Sequence, residues 1–281
     1  MPFATLVTVD ELAANLNDPN WRIFDCRHDL AEPEKGVRAY RESHVPGALF
    51  AHLDRDLSGA TTGRNGRHPL PDAGTFAEWL GRAGVDSGRQ VVAYDDAGGA
   101  FAARLWWLLR WLGHRSVAVL DGGWPAWLAA GQPTTAAPAA VTRAQFEGRP
   151  DPSMVVDAAW LETRLDQGGV RLIDARSPDR FRGENETIDP VAGHIPGALN
   201  RFFKDNLRTD GRFESADRLR AAFDALAAGV PPAAVVNQCG SGITACHNLL
   251  AMEVAGLHGA RLYPGSWSEW CSDPRRPICK R

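Results

Sequence analysis

The chain has 281 residues, of which 44% are apolar and 23% charged, and its formal net charge is −3. That is enough chain for one large domain or two ordinary ones with real cores, in the composition of a globular protein. A slightly acidic balance gives no electrostatic case for nucleic acid or an anionic membrane, and no apolar run approaches the roughly 20 residues of a bilayer span.

Met1-Pro2-Phe3-Ala4 lacks a basic start followed by an apolar segment, so the N-terminus does not read as a signal peptide. Thr8-Val9-Asp10-Glu11 reads as a capping box that opens a helix over 10–16. Residues 21–24, 90–94 and 116–120 are short apolar runs expected as strands. Between the last two, Leu105, Leu108, Leu109 and Leu112 fall at helical spacing within 101–112. The Pro- and Ala-rich stretch 132–140 begins a linker.

Beyond it the chain repeats itself. Phe24-Asp25-Cys26-Arg27 returns as Ile173-Asp174-Ala175-Arg176, and His44-Val45-Pro46-Gly47-Ala48 as His194-Ile195-Pro196-Gly197-Ala198. Val91-Val92 answers to Val235-Val236, while Gly122, Trp124 and Trp127 answer to Gly265, Trp267 and Trp270. So long a period means duplicated domains. The expected division is a non-catalytic half at 1–138, a linker at 139–152 and a catalytic half at 153–281. Strands alternating with helices imply an α/β fold, each half a parallel sheet flanked by helices, with functional groups at the carboxyl ends of strands.

Cys239 follows the strand expected at 235–238 and precedes a helix expected over 245–255. Gly240, Ser241, Gly242, Ile243 and Thr244 fill the turn, where backbone N–H groups and a helix N-terminus converge in a way that favours an anion. Cys239 is thus the candidate nucleophile, the alternative being a buried structural thiol. In the first half Asp95 stands at the matching position, so only the second half is expected to react. Five cysteines without regular spacing argue against a disulfide scaffold and point to a reducing compartment, the cytoplasm by default. No CxxC pair, HExxH run, P-loop or dinucleotide fingerprint occurs, so no metal or other cofactor is expected.

Two tandem Asp-x-Arg … His-[Ile/Val]-Pro-Gly-Ala halves, ending in Gly-Gly-Trp-x-x-Trp and Gly-Ser-Trp-x-x-Trp, resemble the two-domain rhodanese sulfurtransferases. The loop Cys239-Gly240-Ser241-Gly242-Ile243-Thr244 is similar to that of the 3-mercaptopyruvate sulfurtransferases, whereas thiosulfate-using members usually carry Cys-Arg-Lys-Gly-Val-Thr. The resemblance implies a five-stranded parallel sheet used twice. It implies transfer of a sulfane sulfur from a small-molecule donor, 3-mercaptopyruvate or else thiosulfate, through a Cys239 persulfide. The acceptor would be cyanide, a small thiol or a thioredoxin-like protein.

It further implies that Ser241 works with a His and an Asp of the first half, matched by His68 in Arg67-His68-Pro69-Leu70-Pro71 and by Asp54 in Leu53-Asp54. Both also fit a reading as solvated loop residues. Arg180 aligns with the arginine aimed at the donor's carboxylate or sulfonate, with Arg182 as the near alternative. Vertebrate mercaptopyruvate enzymes place a second arginine after a Glu-Pro-Glu-Pro stretch; residues 184–190 carry none. Asp25, Arg27, His44, Asp174, Arg176 and His194 occur in both halves and read as scaffold. Two other classes stay open: a phosphatase, although Ala245 stands where a Cys-x5-Arg loop needs arginine, and a non-enzymatic sulfur-binding module.

Overall fold

The computed structural model describes residues 2–165 and 168–280. They form two compact units, and the chain crosses between them more often than a simple duplication requires. The first unit comprises the chain up to Gly59, Pro71–Asp151 and Thr209–Phe213; the second comprises Ala60–Leu70, Pro152–Arg208 and the chain from Glu214 onward. The division therefore differs from a cut at a linker over 139–152. Most of that stretch belongs to the first unit because its backbone finds partners there. Ala144 N–H donates to Gly81 O at 2.9 Å, Arg149 N–H to Leu112 O at 3.1 Å and Asp151 N–H to Trp111 O at 2.9 Å, while Phe146 is buried.

In the first unit β1 (Leu6–Val7), β2 (Trp21–Asp25), β3 (Leu49–Phe50), β4 (Gln90–Tyr94) and β5 (Val117–Leu120) form a sheet in the order β1-β5-β4-β2-β3. Every pairing is parallel. Its helices are α1 (Val9–Ala14), α2 (Lys35–Glu42), α3 (Ala73–Arg82), α4 (Ala102–Trp111) and α5 (Gly123–Ala129). The capping box is present: Thr8 accepts from Glu11 N–H, and Glu11 accepts from Thr8 N–H. Strand β4 is buried along its whole length, as a central parallel strand between helical layers must be.

The second unit repeats the plan with β6 (Arg171–Asp174), β7 (Leu199–Asn200), β8 (Val235–Gln238) and β9 (Arg261–Leu262), in the order β7-β6-β8-β9 and all parallel. Its helices are α6 (Ala158–Glu162), α7 (Pro178–Phe181), α8 (Ala216–Ala227), α9 (Thr244–Val254) and α10 (Ser266–Trp270). Among the described residues the second sheet thus has four strands, where the resemblance implies five. A single parallel bridge between Val155 and Leu262 occupies the fifth position. A 3₁₀ turn over Pro152–Met154 and the N-cap Asp157 leave too few extended residues between them for a strand.

The duplicated polar residues tie each unit together. Arg27 donates to Asp25 through Nε and Nη2 and to Ser43 O, and lies 4.6 Å from the ring centroid of Trp124. Arg176 does the same with Asp174, Gly193 O and Trp267. Both pairs are buried, and a buried charge is tolerated only when paired and hydrogen-bonded in this way. Among the described residues no helix is long and apolar enough to cross a membrane.

Candidate active site

Cys239 is the first residue beyond β8, at the carboxyl end of the sheet, and is 2% exposed. The start of α10 holds its backbone from both sides: Cys239 N–H donates to Ser266 Oγ at 3.1 Å, and its carbonyl accepts from Trp267 N–H at 2.9 Å. The loop then turns at Gly242, with φ +80°, where an added Cβ would lie 2.4 Å from Pro264 O. No other residue fits that turn without moving the backbone. The turn brings Gly242 N–H onto Cys239 Sγ at 3.1 Å. Ile243 is buried, and Thr244 opens α9, so the positive end of an 11-residue helix begins just past the sulfur. Cys246, in the first turn of α9, donates its thiol to Gly242 O at 3.3 Å and packs behind the loop.

Gly240 faces the ends of side chains instead of backbone. A Cβ there would lie 2.9 Å from Arg67 Nη2 and 3.5 and 3.7 Å from Arg180 Nη2 and Nη1. Two guanidinium groups converge on the residue next to the candidate nucleophile. Arg180, on α7, is gripped by Glu186 through Nε at 3.2 and 3.1 Å and through Nη2 at 2.8 and 2.9 Å, and it reaches Asp189 at 3.2 Å. Arg67 pairs with the other oxygen of Asp189 and anchors its N–H on Ser268 Oγ at 3.1 Å. Arg176 Nη1 lies 3.4 Å from Glu186, so the scaffold arginine braces the same carboxylate. The Glu186 and Asp189 side chains are only 1% and 2% exposed. Burial pushes the Arg67 guanidinium down from its usual range; Cys239 opposes the shift and Arg180 adds to it.

Arg67 was singled out in the sequence only as the neighbour of His68. The lack of an arginine in 184–190 is the sequence signal that a second guanidinium would come from elsewhere in the chain. That segment supplies the buried acids Glu186 and Asp189 instead. Arg182, the alternative to Arg180, forms an exposed pair with Glu184 and takes no part.

Ser241 and His68 are both buried, with Oγ and Nδ1 2.7 Å apart. His68 is therefore not a solvated loop residue. The segment Ala60–Leu70 belongs to the second unit, which puts His68 beside the Cys239 loop. Asp54 belongs to the first unit, where its N–H donates to His52 Nδ1 at 3.1 Å and its carboxylate lies 4.0 Å from the same nitrogen. His28, His52 and Asp54 can offer ligand atoms within 4.8 Å of one another, the one such group among the described residues. The His52 Nδ1 lone pair is already engaged by the Asp54 amide, which counts against a metal there.

The matching loop of the first unit shows what the turn does around a fixed anion. Asp95 accepts N–H bonds from Ala97, Gly99, Phe101 and Ala102, each at 2.8 Å. Burial pushes its carboxyl up from the usual range while these amides pull it back. A carboxylate built into the chain fills the cradle.

Residues 8–130 and 157–273 each match the rhodanese-like domain. The chain belongs to the rhodanese family. This rhodanese-family chain is 52% identical over 280 residues to a Pseudomonas aeruginosa protein named "Probable 3-mercaptopyruvate sulfurtransferase", covering 99% of each. It is 33% identical over 257 residues to the thiosulfate sulfurtransferase of Bos taurus, covering 90% of this chain and 85% of that one. Among solved structures it resembles 3-mercaptopyruvate sulfurtransferase from Leishmania major, with a TM-score of 0.86 and 30% identity, over 98% of this chain and 76% of that one.

Proposed function

We propose that this protein transfers a sulfane sulfur from 3-mercaptopyruvate to a thiol or cyanide through a persulfide on Cys239. The observation that carries the reading is the convergence of Arg67 and Arg180 over Gly240, beside a cysteine whose sulfur faces the Gly242 amide. The guanidinium groups hold the donor's carboxylate, and the Cys239 thiolate attacks its sulfur. As the new S–S bond forms, the C–S bond breaks and its electron pair passes to the methylene carbon as the enolate of pyruvate. Protonation at carbon, through Ser241 and His68, releases pyruvate. An acceptor thiolate or cyanide then attacks the outer sulfur and returns Cys239 as thiolate, in ping-pong order.

Asp54 is assigned a part in the proton relay by the family resemblance alone. The first unit, whose loop is closed by Asp95, is assigned no chemistry. The odd number and irregular spacing of the five cysteines argue for a reducing compartment, the cytoplasm, where a small thiol or a thioredoxin-like reductant would serve as acceptor.

The test is mass spectrometry of the intact protein after exposure to mercaptopyruvate, and separately to thiosulfate, with steady-state kinetics for both. A one-sulfur adduct on the Cys239 peptide and a higher kcat/KM with mercaptopyruvate are expected. Thiosulfate preferred over mercaptopyruvate would change the donor and keep the mechanism. Full sulfur transfer by Cys239→Ser would remove the mechanism itself.

A further inference from the structure

The donor grip is not a simple positive site. Arg67, Arg176 and Arg180 meet Asp174, Glu186 and Asp189, so three cations face three anions in one connected network. The acids are not surface groups that solvent would screen: the Glu186 and Asp189 side chains are almost wholly buried. Arg180 spends Nε and Nη2 on them, and Arg67 spends Nη1. Of the three nitrogens nearest Gly240, Arg67 Nη2 and Arg180 Nη1 are not the atoms bound to carboxylates, whereas Arg180 Nη2 is already shared by Glu186 and Asp189. Hydrogen-bond donors therefore face the donor position while the charge behind them is already offset.

We infer that Glu186 and Asp189 select the sulfur donor by charge, admitting monoanionic carboxylates such as a 2-oxo acid and disfavouring dianions such as thiosulfate. The inference deepens the sulfurtransferase reading and rests on it for the identity of the donors. Two unpaired guanidinium groups would match a dianion. With Asp189 bridging both, a second negative charge on the ligand meets a carboxylate at close range in a partly dehydrated site, and its own dehydration cost rises steeply with charge. A carboxylate brings one charge and two coplanar oxygens, which suit guanidinium edges. Glu186 and Asp189 are positioning residues here, acting on the donor through the two arginines.

Full-length protein titrated calorimetrically with pyruvate and with sulfate, an unreactive monoanion and dianion, tests the charge rule without turnover. Wild type should bind pyruvate more tightly. Asp189→Asn should lower the pyruvate-to-sulfate affinity ratio on the order of tenfold, and kcat/KM for mercaptopyruvate relative to thiosulfate should fall in parallel. A merely structural role would weaken both ligands and leave the ratio alone. Tighter sulfate binding by wild type, no pyruvate binding, or an unchanged ratio in folded Asp189→Asn overturns the inference. If that variant does not fold, the wild-type comparison decides. Correct anion ranking without any Cys239 persulfide would sink the sulfurtransferase reading and leave the charge rule standing.

Discussion

The Ser241 hydroxyl and His68 Nδ1 are close enough for a proton to pass between them without either side chain moving. If they relay the proton that completes pyruvate, each is needed in the step that breaks the C–S bond. Ser241→Ala and His68→Asn should each lower kcat with mercaptopyruvate by about a hundredfold or more, with little change in KM. The double variant should be scarcely worse than either single one, because the pair acts as a unit; multiplicative losses in steady-state kinetics would refute the relay. At this scale Cys239, Ser241 and Arg180 were legible, because a loop or a short motif carries its own spacing. Arg67 was not. Its place beside Gly240 depends on residues 60–70 lying against a loop far along the chain, and no local pattern records that.

At the level of elements, β4 and β8 end in equivalent turns with opposite contents. Asp95 accepts from four amides, three of these bonds buried, so removing its carboxylate strands buried donors. Asp95→Ala should cost about 3 kcal/mol, from an unsatisfied buried group or two after relaxation, read as a lower urea midpoint with an unchanged slope. A loss below about 0.5 kcal/mol would mean that the turn is held by other contacts. The long buried strands were plain in the sequence as apolar runs, and α1 and α4 as a capping box and a helical stripe. The two-residue strands β1, β3, β7 and β9 were beyond reach, since so short an element has no period to detect and is defined by the neighbour it pairs with. The shortfall in the second sheet has the same origin: 155–156 is extended, and only its surroundings decide whether that makes a strand.

For the molecule as a whole, one buried imidazole couples stability to acidity. His114 packs against Phe146, with Nε2 3.2 Å from Ser116 O, and burial lowers its pKa from the usual 6.5. The unfolded chain therefore binds a proton that the folded protein resists. This contribution is intact above about pH 6.5 and is lost as the pH falls from there toward the folded value. Urea unfolding at about pH 7.5 and about pH 5.5 should show a loss in wild type that is smaller in His114→Phe; equal losses would acquit His114. The crossing segments bear on the architecture more broadly. Residues 60–70 leave the first unit for the second, and residues 209–213 return, where Phe213 N–H donates to Asp121 at 2.8 Å. Each half of the duplicated sequence thus carries a segment that belongs to the other unit. A chain cut at the Pro-Ala stretch would part Cys239 from Arg67 and His68, which belong to the same unit.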